Sequence, residues 1–155
     1  MANETLGAAL EREHREIDEG FDAFTAGLAL GEVRKEPLHN AIEALRRHIY
    51  LEEEFLFPSL RAAGMVAPVF VMLREHGEIW RLLEQLEAAI EAGPVGEPVL
   101  GLCRQLAAAL ETHNMKEEHI LYPRADGVLE ETENAKLVEF LSAGRMPGDW
   151  ACAQA

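Results

Sequence analysis

Four histidines and two glutamates stand where a buried helical stripe would otherwise carry apolar side chains: His14, His48, Glu52, His76, His113 and Glu117. His48 and Glu52 are four residues apart, as are His113 and Glu117. In an α-helix that spacing puts both side chains on one face, so each pair offers an imidazole and a carboxylate to a common point. An uncompensated carboxylate in a core costs on the order of several kcal/mol, and a metal ion removes that cost. Four imidazoles and two carboxylates suit iron, with manganese and zinc as lesser alternatives. Each carboxylate can bridge two metals and each metal can take two imidazoles, which leaves coordination positions for a small molecule. A lone histidine on an apolar face is ordinarily a hydrogen-bonded core residue. Four of them, one per helix and two followed by Glu at i+4, call for a different cause.

The donors also repeat. Glu13-His14-Arg15-Glu16-Ile17 resembles Glu75-His76-Gly77-Glu78-Ile79, an offset of 62 residues. The run from His48 through Glu52 to Pro58 aligns without a gap on the run from His113 through Glu117 to Pro123, an offset of 65. The chain reads as two helical hairpins, each donating the same constellation about a pseudo-two-fold axis, which is the geometry a two-metal centre needs.

The elements that must position these residues are legible from periodicity. Leu6, Leu10, His14, Ile17, Phe21, Phe24 and Leu28 recur at gaps of 4, 4, 3, 4, 3 and 4, with Gly31 as a stop. A second helix opens at Pro37 and reads Leu38, Ile42, Leu45, His48, Glu52, Phe55; Pro58 is expected to bend or end it, and Gly64 closes the segment. A third starts near Pro68 and reads Val69, Leu73, His76, Trp80, Leu83, Leu86, Ile90 before Gly93-Pro94. A fourth starts near Pro98 and reads Val99, Leu102, Leu106, Leu110, His113, Glu117, Ile120 before Pro123. The expected fold is all-α: an antiparallel up-and-down four-helix bundle, with a short fifth helix from about Thr132 to Leu141 across one end. Residues 1–143 form the bundle domain in this reading, and 144–155 an irregular tail that Trp150 docks.

Composition narrows the class. With 28 Asp and Glu against 14 Lys and Arg, the chain carries a formal charge of −14. A surface so negative is a poor partner for nucleic acid or anionic membrane and a good one for cations. The stretch Met65 to Leu73 is too short to span a bilayer, and the N-terminus lacks a secretory pattern. Cys103 and Cys152 show no metal-type or redox-type pairing and read as reduced thiols, so a cytoplasmic protein is expected. A homodimer is compatible with this reading.

The pattern His…His-x-x-x-Glu…His…His-x-x-x-Glu, with Pro six residues after each Glu, resembles the hemerythrin-like (HHE cation-binding) domains over about residues 8 to 125. The resemblance implies a carboxylate-bridged centre of two Fe ions in an antiparallel bundle, with roles in binding O2, nitric oxide or iron. His14, His48, His76 and His113 would be the imidazole ligands, and Glu52 and Glu117 the bridging carboxylates. Oxygen-carrying members place a fifth histidine where this chain has Trp80, and end on an Asp spaced one residue beyond the position of Glu117. The four-histidine variant implies an open position on both irons, and favours reaction with O2, nitric oxide or peroxide over reversible carriage. An iron store, donor or sensor and a catalase-like peroxide-removing enzyme share the same ligands, and whether the chain is an enzyme stays open.

Blander readings attach to the remaining polar residues. Glu53 and Glu118 point about 100° from the ligand glutamates and read as half-exposed charges, with hydrogen bonding to the ligand residues as the lesser alternative. Glu13 and Glu75 read as helix-surface decoration, and His39 and His119 as surface or rim positions. Tyr50 reads as packing. Tyr122 aligns with Phe57, so its ring is expected to matter more than its hydroxyl. Trp80 is expected to seal the site from water.

Overall fold

The computed structural model describes residues 4–155; the reading of the extreme N-terminus as lacking a leader falls partly on residues 1–3, outside that range. Among the described residues all regular structure is helical, with α1 (Leu6–Ala29), α2 (Lys35–Leu51), α3 (Phe57–Ala62), α4 (Val66–Glu91), α5 (Glu97–Lys116), α6 (Tyr122–Val128) and α7 (Glu131–Ala143). A π-helical turn, Glu52–Leu56, joins α2 to α3, and a second, Glu117–Leu121, joins α5 to α6. The two composite rods pack with α1 and α4 as the antiparallel four-helix bundle expected from sequence.

Local chemistry sets the helix ends. The Thr5 hydroxyl accepts from the Ala8 N–H at 3.1 Å and caps α1. Gly31 (φ 76°) and Gly64 (φ 99°) take the left-handed conformation that ends α1 and α3. There the N–H of Glu32 donates to Gly27 O at 2.8 Å, and that of Met65 to Leu60 O at 3.0 Å, which satisfies carbonyls the helix leaves open. Gly20 lets α1 and α2 approach closely, since a Cβ there would strike the Ala41 methyl.

Pro58 does not end its rod, one of the two outcomes expected there, and the segment closes at Gly64 as expected; Pro123 does not end the other rod either. Each sits in the first turn of a new α segment, immediately after a π turn. The π turn carries one extra residue, with Phe57 N–H donating to Glu52 O and Tyr122 N–H to Glu117 O. That residue relieves the clash a proline makes with the preceding turn, so the rod continues.

Two apolar clusters fill the bundle on either side of a polar middle layer. One contains Phe24, Leu38, Ile42, Leu83, Leu86 and Val99; the other contains Leu6, Leu10, Leu56, Phe57, Leu60 and Val69. Full burial of each such side chain contributes about 1.5–3 kcal/mol, enough to hold a costly polar layer between them. Helix α7 packs on the second cluster through Leu137 and Phe140, and the Arg47 guanidinium donates to the carbonyls of Phe140, Leu141 and Gly144. Among the described residues no helix is long and apolar enough to cross a membrane.

Candidate metal centre

The middle layer is formed by the six residues singled out from sequence. His14 comes from the centre of α1, His48 from the last turn of α2, His76 from α4 and His113 from the last turn of α5. Glu52 and Glu117 are the first residues of the two π turns. All six are at most 3% exposed. Their donor atoms converge as two sets, His14, His48, Glu52 and Glu117 on one side, and Glu52, His76, His113 and Glu117 on the other. Within each set the donors lie within 4.8 Å of one another, and both glutamates belong to both sets. Glu117 Oε1 is 3.2 Å from His14 Nε2 and 3.3 Å from His113 Nε2, while Glu52 Oε1 is 3.5 Å from His48 Nε2 and 3.2 Å from His76 Nε2.

Every one of the four imidazoles is turned by an outer carboxylate. His14 Nδ1–H donates to Glu118 at 2.8 Å, His48 to Glu13 at 2.8 Å, His76 to Glu53 at 2.7 Å and His113 to Glu75 at 2.9 Å. This corrects the reading of Glu13 and Glu75 as surface decoration; at Glu53 and Glu118 the lesser alternative, bonding to a ligand residue, is the one present. Each lies beside or near a donor in sequence but bonds to a histidine of another helix, a relation that one helical wheel does not contain. Binding Nδ1–H fixes the ring and leaves Nε2 aimed at the centre, the orientation a metal-binding imidazole needs. Arg47 in turn holds Glu13 at 3.2 Å, and Lys116 holds Glu75. His39 and His119 are exposed, as expected.

The π turns also move a residue that sequence reasoning placed elsewhere. On a regular helix the fifth residue after Glu117 lies about 140° away, and Ile120 would share the buried face. The wider turn exposes Ile120 to 51% and brings Leu121 and Tyr122 inward. The Tyr122 hydroxyl donates to Glu52 Oε2 at 2.7 Å and lies 3.3 Å from Glu117 Oε1, 3.0 Å from His14 Nε2 and 3.2 Å from His48 Nε2. The expectation that its ring outweighs its hydroxyl therefore fails. Phe57, its repeat partner, stacks on His76 with ring centroids 5.4 Å apart and brings no oxygen to the other side. The signal that would have revealed Tyr122 is the proline that follows each of these aromatics, which marks a break in helical phase.

Electrostatics tie the layer together. Burial disfavours charge on His48 and His113. The carboxylates around them outweigh it: Glu52 and Glu13 hold His48 well above the usual imidazole range, and Glu117 with Glu75 lifts His113 to about 10. Burial likewise opposes charge on His76, and the neighbouring carboxylates of Glu52 and Glu53 overcome that. Burial pushes the Glu52 carboxyl up, but the charge of His48 and the nearness of the His48 and His76 imidazoles hold it well below the carboxylate range. Burial and the charges of Glu117 and Glu52 push the Tyr122 phenol well above its ordinary value. Protons on imidazoles thus balance the buried carboxylates. A bound cation would take over that role, because a ligating imidazole gives up its proton.

The donor set passes a direct test for a cation. Glu52 Oε1, His76 Nε2 and Glu117 Oε2 are buried without a hydrogen-bond partner among the described residues. A buried polar atom left unpaired costs about 1–3 kcal/mol, and here three face one point. One nitrogen-and-oxygen donor set of this kind suits a transition metal.

The C-terminal tail reaches this layer from outside. Trp150 packs edge-on against Trp80 and Tyr50, and its indole N–H donates to Glu54 at 3.1 Å. The Ala153 N–H donates at 2.9 Å to Glu53, the carboxylate that holds His76. Gly77 makes room for this contact, since a Cβ there would collide with the Gln154 carbonyl. Cys152 of the tail is buried against the first apolar cluster, and both it and Cys103 are free thiols. Trp80 is 6% exposed and lies under the Arg46 guanidinium, 5.1 Å from the ring centre.

Residues 5–125 match the family model of the hemerythrin HHE cation binding domain. Comparison with curated proteins and with solved structures gave no match. The matched span contains every residue of the buried donor layer and both π turns. A cation-binding family model over most of the chain agrees with a donor layer that contains buried, unpaired nitrogen and oxygen atoms. The chain belongs to the hemerythrin HHE cation binding domain family.

Proposed function

We propose that this protein holds two iron ions through His14, His48, His76 and His113, shares Glu52 and Glu117 between them, and uses the pair to bind or react with O2, nitric oxide or peroxide. The observation that carries this reading is the overlap of two buried donor sets on the same two carboxylates. Two imidazoles and two shared carboxylates give each ion about four protein ligands, below the number iron usually takes. Positions therefore remain for a small molecule, and a ferrous pair would supply it with electrons. The chain's own contribution is to orient the donors and keep water out. Glu13, Glu53, Glu75 and Glu118 hold the imidazoles, the apolar clusters above and below close the layer, and Trp80 with Trp150 covers one flank.

Nitric oxide added to the reduced, iron-loaded protein tests the reading, with absorption and electron paramagnetic resonance as readouts. New signals in both are expected, at up to one nitric oxide per iron. Unchanged spectra from a protein carrying its full iron would refute an open position.

A further inference from the structure

The Tyr122 hydroxyl lies within one half of the cage. Its hydroxyl oxygen sits 3.0 Å from His14 Nε2, 3.2 Å from His48 Nε2, 2.7 Å from Glu52 Oε2 and 3.3 Å from Glu117 Oε1. Donors bound to a single ion at about 2.0–2.2 Å stand about 2.8–3.5 Å apart, so these four separations are those of neighbouring ligands. The chemistry agrees with the spacing. The phenol oxygen is surrounded by two imidazole nitrogens and two carboxylate oxygens and has one proton to offer among them. A cation at their centre relieves all four contacts together.

We infer that Tyr122 is a phenolate ligand to the metal held by His14 and His48, so that the two metal positions are chemically unequal. This rests on the two-iron reading above. Forming the iron–oxygen bond breaks the phenol O–H bond and releases the proton to solvent, with no change in the oxidation state of the iron. The opposite half has Phe57 at the repeat position, stacked on His76, and gains no such ligand. The His14/His48 position is then more nearly filled by protein, and the small molecule enters at the His76/His113 position.

Phenolate bound to ferric iron gives a visible charge-transfer band whose resonance Raman spectrum carries tyrosine ring modes. The chain has two tyrosines, and Tyr50 packs against Phe55, Phe140 and Trp150 away from the donors. The expected result for the air-oxidised, iron-loaded protein is tyrosine modes that vanish in Tyr122→Phe and persist in Tyr50→Phe, while Tyr122→Phe keeps its iron. A wild-type protein with its full iron and no tyrosine modes overturns the ligand role and leaves the two-iron reading intact. Failure to bind iron at all, measured separately as metal content, overturns both. Because the wild-type spectrum decides the matter, a folding defect in Tyr122→Phe does not rescue the inference.

Discussion

The half of the cage built on His14 and His48 and the half built on His76 and His113 share two glutamates, equivalent helix positions and one pattern of outer carboxylates. Their differences lie in what surrounds those donors. Tyr122 brings a hydroxyl into the first half, where Phe57 brings a bare ring to the second. Glu118, which holds His14, is 33% exposed and has no other hydrogen-bond partner among the described residues. Glu53, which holds His76, is 5% exposed and pinned by the Ala153 amide of the tail. A repeated hairpin thus supplies a symmetric set of donors, and an unlike residue at one repeat position, together with a tail outside the repeat, makes it unequal. One half gains a donor and a loose outer brace; the other has fewer donors and a rigid one.

Breaking what the halves share should have the largest effect. Glu52→Gln removes a carboxylate present in both sets, so metal content after dialysis should fall to near zero; retention of one full equivalent would show that the sets do not overlap. His113→Ala touches one set only. It should leave roughly half the wild-type metal, because ligand loss abolishes binding only where the ligand belongs. Loss of all metal in that variant would mean that the halves fill only together.

The outer carboxylates sharpen the contrast. Removal of such a partner weakens metal binding by about 10–100-fold, and Glu53→Gln should lie nearer the upper end than Glu118→Gln because its carboxylate is buried and braced. Competition with a chelator measures both; equal losses would show that the tail contributes nothing to the His76 side. Gly77→Ala tests the tail without touching a donor, since its methyl group displaces Gln154. It should speed metal loss a few-fold from the second half alone, at about the scale of a single outer hydrogen bond.

The smallest effect is the acid response of the metal-free protein. Hydrogen bonding from His113, with Lys116 also bonded and burial opposing, holds the Glu75 carboxyl down to about 2 from 4.5. Its folded value is depressed, so its stabilisation is complete above 4.5 and drains as pH falls through about 2. Urea melts across that range should show wild-type stability declining more steeply than that of Glu75→Gln. Parallel curves would remove Glu75 from the account.

The six central donors were legible because polar residues interrupting an apolar stripe, at i and i+4 and in duplicate, are a pattern within single helices. The bundle was legible for the same reason, as was Gly31 as a stop. The outer carboxylates were less so: for Glu53 and Glu118 this role was only the lesser alternative, because each lies on a different face from the neighbouring ligand glutamate, and Glu53 acquires its role from α4. Tyr122 was misjudged for a second reason: a π turn shifts helical phase by one residue, which buries Leu121 and Tyr122 and exposes Ile120. The same shift at Pro58 buries Leu56 and Phe57. The docking of Trp150 was expected, but not the contact from Ala153 to Glu53, which depends on how the tail crosses α4 at Gly77.

The Mössbauer spectrum of the oxidised, iron-loaded protein tests the central claim most directly, because it counts iron environments by area without a variant. Two doublets of equal area and different splitting, from a sample with two irons per chain, are predicted by a shared-carboxylate cage with Tyr122 on one side. A single doublet from such a sample would show the halves to be equivalent, and iron far below that stoichiometry would contradict the cage itself.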